Sequence, residues 1–107
     1  MPKYLVKAKY TLEGSRGVAK DGGGTARRSA VKESVEGMGG KLEAFYFAFG
    51  DTDAYVIVDL PDNVAAAALS LAVNAAGGAA TSTTLLVTPE EMDAAAKRQV
   101  IYRAPGK

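Results

Sequence analysis

The spacing of hydrophobic and polar positions changes several times along the chain, and each change marks an element. Residues 3–12, KYLVKAKYTL, alternate, with Tyr4, Val6, Ala8 and Tyr10 on one side and Leu5, Lys7 and Lys9 on the other. That two-residue period predicts a strand. EGSRG then reads as a turn, and KDGGGT interrupts the helical pattern next to it, because three consecutive glycines inside a helix would cost roughly 1 kcal/mol each relative to alanine. The main part of the first helix is therefore expected over 25–38. Val31, Val35 and Met38 form its apolar stripe, Ala30 flanks it, and Gly39-Gly40 stops it.

Residues 41–49 and 54–60 read as two strands joined by GDTD, where glycine and aspartate tolerate or cap a tight turn. Asp62 or Asn63 can then cap a helix over VAAAALSLAVNAA, in which Val64, Ala68, Leu71 and Ala75 share a face. Its many alanines imply close packing of helix on sheet. TSTTLLV predicts a fourth strand. A last helix opens at TPEE, with Thr88 as N-cap, Pro89 at the first helical position and Glu91 completing a capping box. VIYRAPGK has no clear period, and no internal repeat or linker divides residues 1–107. The expectation is one α+β domain of order β-α-β-β-α-β with an extra C-terminal helix, the ferredoxin-like arrangement.

Composition narrows the chemistry by exclusion. Thirteen Lys and Arg against twelve Asp and Glu leave a net charge of +1, which provides no general attraction to nucleic acid or an anionic membrane. No apolar run is long enough for a membrane span, and the first residues lack a signal-peptide pattern, so a cytoplasmic location is expected. The absence of cysteine excludes disulfides and thiol catalysis. The absence of histidine removes the usual triads, the commonest transition-metal ligand and the commonest base near neutral pH. No cofactor is implied.

GGKLEAFYFAFGDTDAYVIVDLPD, the alanine-rich helix after it and TPEEM together resemble the GYD domain family of small bacterial proteins. The likeness extends back to GGGTARR. Gly50, Asp53, Asp59, Pro61 and Asp62 match the family pattern, while Thr52 stands where its tyrosine would be. Arg27 falls where such proteins often carry an arginine. The resemblance implies a ferredoxin-like fold, with pairing into a dimeric α+β barrel as its assembly, and implies little about activity.

In that topology strands one and three are antiparallel neighbours. Strand three offers Val56, Val58 and Leu60 to one side and Tyr55, Ile57 and Asp59 to the other. The uncharged side should meet the helices, since a buried unpaired carboxylate is costly. Asp59 then shares the open face with Lys7 and Lys9, and a cross-strand ion pair is expected. Leu5, Ile57, Tyr55 and either the Phe45/Phe47/Phe49 set or Tyr46 would leave an apolar patch there, the mark of an interface with a second copy or of a ligand surface. The ligand-binding candidates are Arg27, Lys7, Lys9, Phe47, Tyr55 and Asp59. Asp51 and Asp53 read as a polar hairpin tip and not a metal site, because a calcium loop would need further ligands at fixed spacing. DGGGTARR places glycines before a helix start, so Arg27 could anchor a small anionic or aromatic molecule under a glycine lid. The alternative is a cofactor-independent enzyme of the dimeric-barrel type, using an open-face aspartate or lysine as its acid or base. No catalytic residue is assigned.

Overall fold

A computed structural model describes residues 1–107. Strand β1 (Lys3–Tyr10) leads into helices α1 (Leu12–Lys20) and α2 (Gly24–Gly37). Strands β2 (Lys41–Phe47) and β3 (Ala54–Asp59) come next, then α3 (Asn63–Ala75), β4 (Ala79–Leu86) and α4 (Pro89–Ala96). The four strands form one antiparallel sheet of order β2-β3-β1-β4. This is the ferredoxin-like α+β arrangement with two additional helices, α1 ahead of α2 and α4 after the last strand.

Alternation decides which side is covered. Tyr4 pairs with Val58 and Val6 with Val56, and these residues face the helices together with Ala8, Ala54 and Leu60. Val58 and Leu60 are completely buried against Val35 of α2, each contributing about 1.5–3 kcal/mol of transfer free energy. Ala66 of α3 closes the same cluster. Asp62 caps α3 by accepting the Ala65 N–H at 2.9 Å, and Thr88 and Glu91 form the reciprocal capping box of α4.

Two expectations are corrected. EGSRG is not a turn: it lies within α1, whose N-cap Thr11 accepts the Gly14 N–H at 3.1 Å. With Glu13 in its first turn and Lys20 in its last, the helix satisfies the macrodipole at both ends, which offsets two internal glycines. Nor does the Val64/Leu71 stripe of α3 face the sheet. The Tyr4 hydroxyl, within 2.5 Å of Asn63 Oδ1, and the packing of Ala66 set the helix rotation, so Ala65, Leu69 and Val73 turn inward. Val64 and Leu71 are left in solvent.

Helix α2 packs over the edge strand β2 and α3 over the opposite edge strand β4. The centre of the sheet, made of β1 and β3, is therefore roofed by neither along its whole length. Near the Leu60 end the gap is filled by the core cluster. Toward the Tyr10 end it stays open.

Candidate functional site

That gap is a cleft of about 490 Å³ between the helix-facing side of the sheet and all three of the helices α1, α2 and α3. Its floor is Val6, Ala8, Ala54 and Val56, residues that alternation places on the inward side. Its α3 wall is formed by the inward Leu69 and Val73, with the small residues Ala68 and Ala72 and the C-cap Ala76 at its margin. Gly14, Gly17 and Val18 of α1 lie over it.

The polar groups of the cleft divide into two sets. At the β4 side, the lining residues Ser70 and Thr81 bond to each other and to Asn74, which lies outside the lining, with Asn74 Nδ2 donating to Thr81 Oγ1 at 2.8 Å and the Thr81 N–H donating to Asn74 Oδ1 at 3.0 Å. Those groups are already satisfied. The rest of the polar lining is Arg27, Tyr10, the Asp21 carboxylate, Ser34 and Thr83. Arg27 takes part in none of the four ion pairs of the chain, and neither its guanidinium nor the Tyr10 hydroxyl has a hydrogen-bond partner within the protein. Burial pushes the Tyr10 hydroxyl pKa up; the nearby Arg27 charge opposes this and the Asp53 carboxylate adds to it. The hydroxyl therefore remains a donor through neutral pH.

One further feature favours negative charge at this end. Helix α2 has no side-chain cap at Gly23 and no acidic residue in its first turn, so the positive end of its dipole is uncompensated beside Arg27. The aromatic rings of Tyr10, Phe47 and Phe45 run in series, with centroids 6.4 and 5.1 Å apart, and Tyr10 and Phe45 line the cleft. A second hollow, of about 550 Å³, lies between Met1, Asn63 and the end of β4. It presents no cationic side chain and no aromatic ring, and is the poorer site despite its volume.

The residues singled out from sequence fall on two opposite sides of the sheet. Arg27 and Phe47 are on the helix side. Lys7, Lys9, Tyr55 and Asp59 are on the open face, where Lys7 stands opposite Tyr55 in the ladder. Tyr46, paired with Tyr55, is the aromatic that joins them there; Phe45 and Phe47 do not. The expected partner of Asp59 is also corrected. Register places Lys3 opposite Asp59, and Lys3 Nζ donates to Asp59 Oδ1 at 2.9 Å while also bonding Glu43. These two hydrogen bonds, Glu43's first, raise the Lys3 pKa. Lys9 instead reaches Asp53, 3.5 Å away. To act as a base, Asp59 would have to leave Lys3.

The hairpin acids do not converge with Asp59, and no three carboxylates gather anywhere. Asp53 works as a clamp between strands: its Oδ2 accepts the Tyr10 N–H at 2.8 Å, and its own N–H donates to the Ala8 carbonyl at 2.9 Å. Tyr10 was not among the sequence candidates, although the signal was present: it is the one inward residue of β1 placed at the strand end nearest the glycine segment. The contribution of α1 could not be found while EGSRG read as a turn.

Residues 4–96 match the model of the GYD domain family. No curated protein and no solved structure matches the chain.

Proposed function

The chain belongs to the GYD domain family, and within that frame we propose that it binds a small molecule combining an apolar, aliphatic or aromatic body with one anionic group. The observation that carries this reading is the pair of donors without a partner in the protein, Arg27 and the Tyr10 hydroxyl, in a cleft lined mainly by apolar residues. Few convergent polar groups on an apolar wall, in a volume of several hundred Å³, is the usual anatomy of a small-molecule site. A guanidinium offers a carboxylate two parallel N–H donors, and the phenol supplies a third. The apolar body then lies along Val6, Val56 and Leu69 toward the α3 wall. The chain also associates with copies of itself in this reading, because its surface carries more large apolar side chains than solvent favours.

Calorimetry with acetate, benzoate, decanoate and decanol tests this proposal. Benzoate and decanoate should bind far more tightly than acetate, since each methylene buried is worth about 0.8 kcal/mol, and decanol should bind at least tenfold more weakly than decanoate. Equal, weak heats from all four probes would refute the cleft as a site for such a molecule.

A further inference from the structure

The chain exposes 7675 Å², where a monomer of 11.1 kDa is expected to expose roughly 5,700 Å². Its radius of gyration is 16.9 Å against about 13 Å for a compact chain of this length. Residues 88–107 contribute to this difference. Positions 87–103 are exposed without a break, α4 has no buried residue, and every hydrogen bond of the segment is internal to it. Met92, Val100, Ile101 and Tyr102 nevertheless project from it into solvent. Four large apolar side chains on a segment that touches little of its own body are unfavourable in water by several kcal/mol, so the segment needs a partner.

Its charge pattern indicates which partner. Glu90, Glu91 and Asp93 occupy the first half, and Lys97, Arg98, Arg103 and Lys107 the second. An element acidic at one end and basic at the other is complementary to an antiparallel copy of itself, as a two-fold contact requires. The open face of the sheet carries Lys7 and Lys41 without a counter-ion, whereas the arm carries charges of both signs itself. The area in excess, roughly 2,000 Å² per chain, is more than the ~800 Å² per partner of a standard interface.

We propose that residues 88–107 form an assembly arm that pairs antiparallel with the same arm of a second copy of this chain. The apolar side chains Met92, Val100, Ile101 and Tyr102 lie between the arms, and the acidic half of each faces the basic half of the other. This rests on the reading that the chain self-associates, and names the contact.

Sedimentation of the full chain, of a chain ending at Val87, and of two charge variants tests the arm. The first variant carries Glu90→Lys and Asp93→Lys, and the second Lys97→Glu, Arg98→Glu and Arg103→Glu; Glu91 is kept because it completes the α4 cap. Circular dichroism confirms that each is folded. The full chain should sediment as a dimer, the shortened chain and each charge variant alone as monomers, and the two variants mixed in equal amounts as a dimer again. A dimer from the shortened chain would overturn the arm while leaving self-association intact. A monomeric full chain would overturn both. Monomers in the mixture would overturn the antiparallel pairing.

Discussion

Gly14 of α1 lies directly against Gly78 at the start of β4. A Cβ built on Gly14 would sit 1.8 Å from the Gly78 carbonyl oxygen, and the Thr11 N–H donates to that same oxygen at 3.0 Å. The contact ties the beginning of α1 to the β4 edge and so places the helix over the cleft. Gly17, one turn later, has nothing within 4 Å of its Cβ position. Gly14→Ala should therefore destabilise the protein by about 1–3 kcal/mol through overpacking against backbone. Gly17→Ala should stabilise it by roughly 0.5–1 kcal/mol through helix propensity. Urea unfolding of the two variants checks the pair of opposite signs.

The hairpin aspartates should differ as sharply. Asp53 holds the Tyr10 N–H, whereas Asp51 has no bonded partner and is exposed. Asp53→Ala leaves a strand-end donor without its acceptor, at a cost of about 1–3 kcal/mol, while Asp51→Ala should stay within roughly 0.5 kcal/mol of wild type. Thermal unfolding at neutral pH measures both, and calcium should leave the wild-type midpoint unmoved.

Tyr10 makes a prediction about alkaline pH. Its folded-state pKa is raised, chiefly by burial, so between the unfolded and folded values the folded state holds a proton that the unfolded state has lost. That contribution to stability is full below the ordinary tyrosine pKa of about 10 and disappears as pH climbs through the raised value. Lys3, raised by its bonds to Glu43 and Asp59, has the same sign. In a spectrophotometric titration the protein should show a phase above the ordinary tyrosine pKa, and Tyr10→Phe should remove it. Its survival in Tyr10→Phe would assign it elsewhere.

The fold was legible because the strongest signals were local and mutually consistent: alternation in β1 and β3, Gly39-Gly40 after α2, and the Thr88 cap. The site was only half legible. Arg27 stood out from the glycines before it, but which side of the sheet it would reach depends on α2 packing over β2, a tertiary relation with no signature in its own segment. Glycine content hid α1, since Gly14 is required by a neighbour 64 positions away and not by local conformation. The partner of Asp59 was missed for a similar reason. Alternation sorts Lys3, Lys7 and Lys9 onto one face but does not say which of them the register sets opposite the acid.

Arg27 is the group on which anion binding in the cleft depends, and decanoate titrated calorimetrically into wild type, Arg27→Lys and Arg27→Ala measures this most directly. Charge-assisted bonds of this kind are worth roughly 1.5–3 kcal/mol, so Arg27→Ala should weaken binding by about 10- to 100-fold. Arg27→Lys, which keeps the charge but loses the planar fork, should fall between the two. Decanoate bound by Arg27→Ala as tightly as by wild type would contradict that role and leave Arg27 a solvated residue of α2.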